Sequence, residues 1–358
     1  ARGENGRYEG WPWYPKMDEQ IQKAGLMLLP CLQDSMKGTV GKGGPLTPDA
    51  AWRRQLVDIL RAFPQYVAWE IDNEYDLHFK KEEAARDWSS YKSYHQTFAQ
   101  GVKFMNEDLL TVEQGSAGVF PDRIRMLIAS GAFDQIDVVN AHFYCGTTAP
   151  ELSARNANTG GDRDDSALIS DLLRDLALAA DSDGRDRQTW ITEFGWDTLA
   201  GHIVTEAEQA AFLQRGWMVG LQAGMDKMFW YWELDTKKPP KVFFDGCGIF
   251  NPKDEPKPAA AAMAAMAHLM PLPRPVGTFD VGSNTMGQVF RNGDQLVAAV
   301  FQLIAQAPAP TVRLPAGKAF DLFANPLAAR QGQLGLAPVW LTGLQGNSEW
   351  YRQTGIDG

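Results

Sequence analysis

Cysteines, histidines and long apolar runs are all scarce in this sequence. Its 358 residues include three cysteines and five histidines. Because there are only three cysteines, Cys31, Cys145 and Cys247, at most one disulfide can form. They are widely separated, and no Cys/His pair has metal-ligand spacing. We therefore expect no structural metal and no cofactor. No apolar run approaches the ~18 residues that span a bilayer, so we expect no membrane-spanning segment.

Basic residues are also in the minority. The chain has 34 Lys and Arg against 44 Asp and Glu, which gives a formal charge of −10. Nucleic acids and anionic membranes bind clustered Lys and Arg, so this acidity argues against either partner and favours a neutral or basic substrate. The phosphate-binding fingerprints G-x-G-x-x-G and G-x-x-x-x-G-K-[ST] follow no predicted strand, which argues against the open-sheet nucleotide folds.

Helical and strand patterns alternate along the first three quarters of the chain. Single helices between successive apolar strands indicate parallel βαβ units. Polar and aromatic residues recur at the carboxyl ends of these strands, as they do in TIM barrels. We therefore predict an α/β fold of the (β/α)8 TIM-barrel type, with strands at Leu26–Gln33, from Tyr66 onward, and at Leu109–Gln114, Asp137–Tyr144, Thr189–Glu193 and Lys227–Glu233.

The predicted strands number six, whereas a closed barrel of this type has eight. Residues 1–25 contain no plausible strand, so the first two βα units are apparently absent from this sequence, and we expect an upstream segment or a second polypeptide to supply them. Beyond the prolines at 271, 273 and 275, the runs 288–291 and 296–301 are typical of a hairpin. We predict a barrel domain over 1–271 and a small antiparallel β-sandwich domain over 272–358.

Two predicted strands end on a glutamate within a polar and aromatic segment. The stretch from Tyr66 to Asp76 reads Y-V-A-W-E-I-D-N-E-Y-D and includes Glu74, and the stretch from Trp190 reads W-I-T-E-F-G-W-D-T and includes Glu193. An ordinary solvated loop would also explain the first stretch alone. Because the two glutamates lie three βα units apart, a barrel could bring them face to face across its mouth. Such a carboxylate pair suits the cleavage of glycosidic bonds.

Four strand ends together resemble a known group of enzymes. The segments W-E-I-D-N-E-Y, H-F-Y, I-T-E-F-G-W-D-T and F-W-Y-W-E-L-D-T occur in this order. They resemble clan A glycoside hydrolases, in particular glycoside hydrolase family 39 and its relatives. The resemblance implies an acid/base carboxyl at Glu74 after Asn73, a nucleophile at Glu193, and retention of anomeric configuration. It covers residues 10–270, and the trailing β domain is similar to the small sandwich that such enzymes often carry.

Further substrate-binding residues follow from the same comparison. Asn73 would hydrogen-bond the sugar 2-hydroxyl, although an asparagine that stabilises a turn is the alternative. The resemblance suggests that His142 binds a hydroxyl and that the Tyr144 phenol contacts the nucleophile, while a buried core histidine remains possible at 142. We favour Trp232 as a sugar-stacking platform over a purely packed indole. Two residues that end the first predicted strand could line a subsite: Gln33 and Asp34.

These observations lead to two hypotheses of different classes. The first is a retaining glycoside hydrolase that cleaves β-glycosidic bonds of an oligosaccharide or polysaccharide by a two-carboxylate double displacement. The alternative is a carbohydrate-binding barrel, or a fragment, without catalytic turnover. The sequence begins at Ala1 without an apolar leader, and we expect a secreted or periplasmic protein.

Overall fold

Helices alternate with parallel strands in the first part of the chain, and antiparallel strands follow. The computed structural model describes residues 14–32, 50–78, 88–151, 169–199, 204–279, 281–305, 311–313, 317–328, 331–344 and 352–353. The helices are α1 (Tyr14–Lys23), α2 (Ala50–Ala62), α3 (Trp88–Met105), α4 (Pro121–Ala129), α5 (Ile169–Ala180), α6 (Glu206–Gln222) and α7 (Pro258–Leu269), and a 3-10 helix spans Tyr75–His78.

Fifteen strands lie in the described residues. The parallel set is β1 (Cys31–Leu32), β2 (Ala68–Ile71), β3 (Leu110–Val112), β4 (Val138–Phe143), β5 (Gln188–Phe194) and β6 (Lys227–Trp230). The remaining strands are β7 (Pro273–Phe279), β8 (Thr285–Asn292), β9 (Gln295–Gln302), β10 (Thr311–Arg313), β11 (Lys318–Phe320), β12 (Pro326–Leu327), β13 (Gln331–Gln333), β14 (Val339–Leu344) and β15 (Arg352–Gln353).

The parallel strands form one sheet in the order β1-β2-β3-β4-β5-β6, the same as their order in the chain. Strand β2, for example, pairs with β3 through Ala68 opposite Leu110 and Glu70 opposite Val112. Such an order requires a crossover connection between neighbours, which the intervening helices provide. The prediction of six parallel strands alternating with helices is therefore confirmed.

The chain divides into two compact units. The first comprises residues 1–114 and 127–138 and contains β1 to β3. Its helices bury apolar side chains, such as Leu56 of α2 and Phe98 of α3, which are 3% and 0% exposed. A carboxylate, Asp18 of α1, accepts hydrogen bonds from the Tyr66 phenol and the Gln65 amide. This contact fixes α1 against the segment that enters β2.

The second unit, residues 115–126 and 139–358, includes the antiparallel strands. Seven of these strands form a sheet in the order β12-β11-β14-β9-β8-β7-β15, and β10 pairs with β13. The predicted hairpin is present, because β8 pairs with β9 from Thr285–Gln302 to Asn292–Gln295. Gly293 occupies the turn with φ of 60°, a conformation that glycine adopts without steric cost. The predicted domain boundary at residue 271 stays a prediction.

Helix α6 joins the two kinds of sheet within this unit. Thr205 caps it with a capping box, in which Thr205 and Glu208 each bond the other's backbone N–H. From the middle of α6, Gln214 donates to the Leu322 carbonyl and Gln222 donates to the carbonyls of Gly277 and Val289. The antiparallel strands are thus bonded to a helix of the alternating part.

A buried ion pair lies at the same helix. Arg215 is 0% exposed and donates from Nε and Nη2 to the two oxygens of Glu151, at 2.9 and 2.5 Å. Nη2 also donates to the Leu303 carbonyl, and Nη1 donates to the Leu336 carbonyl. These four acceptors take four of the five N–H donors, which offsets much of the cost of burying the guanidinium.

Two further sequence expectations concern cysteines and membranes. No disulfide joins any two of the three cysteines, all of which the structure describes. None of the helices within the described ranges has the length and apolarity required to cross a membrane. Gln33 and Asp34 lie outside the described residues.

Replacing Arg215 by methionine should lower the free energy of unfolding by about 3–5 kcal/mol, because Glu151 would stay buried without a counter-charge. Urea unfolding followed by circular dichroism measures this change. Arg174→Met is the matched control, since Arg174 pairs with Asp171 where the two side chains are 49% and 59% exposed. We expect a loss below about 1 kcal/mol there. Equal losses in the two variants would contradict the assignment.

Candidate active site

The pairing of β5 with β6 is irregular between Ile191 and Phe194, near the end of β5. Ile191 pairs with Met228, and Phe194 pairs with Trp230, so three steps along β5 match two steps along β6. This is the geometry of a β-bulge, which re-aims the side chains of the extra residue. Successive side chains of a regular strand point to opposite faces. At the bulge, Thr192 and Glu193 both contact side chains of the neighbouring strand β4 and the residue after it.

Glu193 accepts a hydrogen bond from a buried phenol. Tyr144 Oη lies 2.7 Å from Glu193 Oε2. The phenol is 1% exposed, and burial, together with the neighbouring Glu193 charge, raises the pKa of Tyr144 well above its usual range. Tyr144 therefore keeps its proton and acts as a donor. A hydrogen bond to the ionised form of a carboxyl stabilises that form, so Tyr144 favours Glu193 as a carboxylate.

An ordered chain of hydrogen bonds also approaches Glu193 through His142. The Thr192 backbone N–H donates to Asn140 Oδ1 at 3.1 Å, which fixes the orientation of the Asn140 amide. Asn140 Nδ2 then donates to Thr192 Oγ1 at 2.6 Å, and this hydroxyl lies 3.1 Å from His142 Nε2. If the hydroxyl donates to Nε2, the ring proton resides on Nδ1. Nδ1 faces Glu193 Oε2 at 3.5 Å.

A glycine makes room for this histidine. A Cβ atom at position 115, just after β3, would overlap the His142 ring. Because His142 is 1% exposed and packed on all sides, the ring could not move aside without disturbing its contacts. Position 115 therefore requires glycine, because the His142 ring lies where a Cβ atom would be.

Aromatic side chains form a wall beside Tyr144. Phe244 and Phe243 meet the Tyr144 ring edge-on, with centroids 4.9 and 5.6 Å away. Tyr231 lies 6.2 Å from the same ring and stacks on Trp232 at 5.2 Å with an interplanar angle of 6°. The Tyr231–Trp232 peptide bond is cis. Half-buried aromatic faces of this kind can pack against the C–H groups of a sugar ring.

The two tryptophans at the end of β6 have different surroundings. Trp230 packs against Phe194 and Trp196, and its indole N–H donates to the Cys247 carbonyl. Trp232 is half-buried, and its Nε1 has no hydrogen-bond partner among the described residues. Trp230, which is also half-buried, thus packs against aromatic residues of β5 and the turn after it, whereas Trp232 stacks on Tyr231 of the aromatic wall.

Glu74 belongs to the first unit, at the end of β2. Asp72 and Glu74 both have positive φ, at 57° and 46°, a region that non-glycine residues enter rarely and at some cost. Asp72 Oδ1 accepts from the Asn73 N–H, and the Leu77 N–H donates to the Glu74 carbonyl to open the 3-10 helix. Asn73 and Glu74 are half-buried. The strand therefore ends in an unusual turn that carries this half-buried carboxyl.

Of the site residues predicted from sequence, the structure places Tyr144, His142 and Glu193 in direct contact. Asn73 and Glu74 are adjacent in the first unit, and Trp232 lies on the aromatic wall of the second. Sequence reasoning missed several contributors. Asn140 had a usable signal, since residues two apart on a strand share a face and it precedes His142 by two. Three others offered none: Gly115, Phe243 and Phe244.

Comparisons with known proteins place the fold. No protein-family description and no curated protein sequence matches this chain. Among solved structures, it is similar to a family 39 glycoside hydrolase from the gut symbiont Bacteroides cellulosilyticus WH2. That match has a TM-score of 0.77 and 20% identity over 94% of this chain and 71% of that chain.

Two further structures give the same result. A monomeric β-xylosidase from Caulobacter crescentus CB15 has a TM-score of 0.59 and 14% identity, over 94% of this chain and 84% of that one. A family 30 endoxylanase from Clostridium papyrosolvens C71 has a TM-score of 0.59 and 11% identity, over 94% and 85%. The resemblance seen in the strand ends is confirmed at the level of the fold, which this chain shares with glycoside hydrolases of clan A.

Proposed function

We propose that this chain is a retaining glycoside hydrolase that cleaves β-glycosidic bonds. The observation that carries the proposal is the setting of Glu193, a carboxylate at the end of a parallel strand that faces the Tyr144 phenol and the His142 ring. Catalytic residues of parallel barrels come from such strand ends. Glu74 ends another strand of the same parallel sheet in a strained turn, as functional residues often do.

In the proposed reaction, Glu193 attacks the anomeric carbon while Glu74 donates a proton to the leaving oxygen. The glycosyl ester on Glu193 is then hydrolysed by a water that Glu74, now ionised, deprotonates. Tyr144 contributes to the first step because its hydrogen bond keeps Glu193 ionised. In this proposal the buried His142 orients Glu193, since its ring contacts Thr192 and this carboxylate.

Binding residues complete the proposal. Asn73 forms no side-chain hydrogen bond with the described residues, so its amide is available for the sugar 2-hydroxyl. Trp232 presents the stacking face, supported by its contact with Tyr231. Gln33 and Asp34 remain candidates for an additional subsite, and they lie outside the described residues. The substrate class is an oligosaccharide or polysaccharide.

We also propose that two more βα units complete an eight-stranded barrel, supplied by an upstream segment or a second polypeptide. Support comes from the six strands in chain order and from a similar family 39 enzyme, of which this chain covers 71%. Native mass spectrometry of an active preparation tests this. We expect either a longer chain or a second polypeptide in the active species. Full activity from a monomer of these 358 residues alone would contradict it.

Azide should distinguish the two carboxyl groups by product stereochemistry. Glu193→Ala should abolish hydrolysis of an aryl β-glycoside, and azide should restore turnover by attacking from the vacated face, which yields an α-glycosyl azide. Glu74→Ala should cost about 10²–10⁴-fold on substrates with poor leaving groups. Azide should then capture the glycosyl ester and yield a β-glycosyl azide. Nuclear magnetic resonance of the products measures the anomeric configuration.

Glu107→Ala is the control for both variants, because Glu107 is exposed. It follows the C-terminus of α3, whereas Glu74 lies before the N-terminus of that helix. Its activity should equal that of the unmodified chain. Undiminished activity in Glu193→Ala would contradict the nucleophile assignment. Sugar binding without any turnover by the unmodified chain would instead favour the non-catalytic alternative.

Removing the Tyr144 hydroxyl should change the pH dependence of activity. In Tyr144→Phe the Glu193 carboxylate loses a hydrogen bond to its ionised form, so the pKa of Glu193 should rise. The acidic limb of the kcat/KM profile should therefore move to higher pH, and activity at low pH should fall most. Tyr66→Phe is the matched control, since it removes a phenol bond to Asp18 before β2 begins. An unshifted acidic limb in Tyr144→Phe would contradict the role.

A further inference from the structure

Lys257 is a buried lysine at a helix N-terminus, a position that disfavours positive charge. It occupies the N-cap position of α7, makes no capping bond there, and is 3% exposed. Helix N-termini carry a partial positive charge and prefer Ser, Thr, Asp or Asn at this position. The helix therefore gives no reason for a lysine, and the reason must lie in what the ammonium contacts.

The ammonium of Lys257 contacts three separate loop segments. Lys257 Nζ lies 2.8 Å from Thr198 Oγ1, 3.1 Å from the Gly246 carbonyl oxygen, and 3.3 and 3.1 Å from the two oxygens of Asp235. A lysine has three donors, and these acceptors use all of them. One side chain thus fastens the segments around residues 198, 235 and 246 to the start of α7.

Each of these segments is attached to a residue of the candidate site. Thr198 follows Glu193 by five positions, Asp235 follows Trp232 by three, and Gly246 follows Phe244 by two. The segments are also bonded to each other, because the Thr198 N–H donates to the Gly246 carbonyl and the Gly248 N–H donates to Asp235 Oδ1. Glycine is needed at 246 and 248, where a Cβ would meet backbone atoms of Leu199 and Asp235.

Lys257 and Asp235 form a buried ion pair, with Nζ 3.1 Å from Oδ2. Asp235 is 2% exposed, and burial raises the pKa of its carboxyl while Lys257 opposes that rise. A buried charge that loses its partner is strongly unfavourable. Loss of Lys257 would therefore leave Asp235 to take up a proton or move toward water, and either response would release the segment that follows Trp232.

We propose that Lys257 is a positioning residue for the active site: it sets the loops that follow β5 and β6, and so places Trp232 and Phe244 beside the Tyr144–Glu193 pair. This inference rests on the proposed function for its catalytic consequence. Its structural consequence is independent of activity. Lys257 touches neither reacting carboxyl in the structure, so it acts through the loops.

The test compares Lys257→Met with Lys257→Arg and with the double variant Lys257→Met/Asp235→Asn. The double variant carries no uncompensated buried charge, so it should fold even if Lys257→Met does not. The comparison can then be made with the double variant. The first readout is the set of indole N–H resonances in ¹⁵N-tryptophan-labelled protein, which has 12 tryptophans. Resonances of Trp230 and Trp232 should shift in both variants that lack the lysine. Trp69 and Trp340, which are buried elsewhere, should be unchanged.

The second readout is the split between kcat and KM on an aryl β-glycoside. Both variants that lack the lysine should lose up to about 10²-fold in kcat, since misplacing groups by about an ångström costs that much. Lys257→Arg should recover part of the loss by keeping the charge. Resonances of Trp230 and Trp232 that coincide with those of the unmodified protein, or an unchanged kcat in the folded double variant, would overturn the proposal. If the species that contains the unmodified chain together with the upstream segment or second polypeptide has no activity, the proposed function fails and the indole resonances alone decide the positioning role.

Discussion

The bulge in β5 is the constraint on which the second unit's candidate chemistry depends. A regular strand would direct Thr192 and Glu193 to opposite faces, and only one of them could lie on the face that carries Asn140, His142 and Tyr144. With three steps of β5 matched to two of β6, both side chains contact the residues of β4 and its end. Thr192 then orders the Asn140 amide and the His142 ring, and Glu193 receives the Tyr144 phenol. One inserted residue therefore determines the surroundings of the carboxylate.

Burial strengthens these hydrogen bonds. Asn140, His142 and Tyr144 are each no more than 1% exposed, so water does not compete for their hydrogen bonds. The Glu193 side chain, in contrast, is 19% exposed and keeps a solvent-accessible part. A carboxylate with donors beneath it and one open face can be held ionised without losing its reactivity. The aromatic wall beside it is apolar, which would strengthen the same electrostatic contacts once a sugar excludes water.

Much of the fold followed from residue patterns, because helix and strand periods are local. The hairpin at Gly293 depends on a few neighbouring residues, and it was predicted. The site was only partly predictable. Glu193 and Tyr144 ended recognisable strands, whereas the bulge depends on how β5 pairs with β6. Phe243 and Phe244 come from a loop, where no period indicates which side chains turn inward. No local pattern marks Lys257 as a buried residue, because its partners are 11 to 59 positions away in the chain.

The hydrogen bonds of α6 have a consequence for how this chain could be divided or recombined. Gln214 and Arg215 donate to carbonyls of loops between antiparallel strands, at Leu322 and Leu336, and Gln222 donates to a carbonyl of β8; all three side chains are buried. A chain cut after α7 would leave these amides and the guanidinium facing water beside newly uncovered apolar residues. Helix α6 and the antiparallel part of the chain therefore stabilise each other. Exchanging that part for the corresponding part of another protein would require redesign of α6.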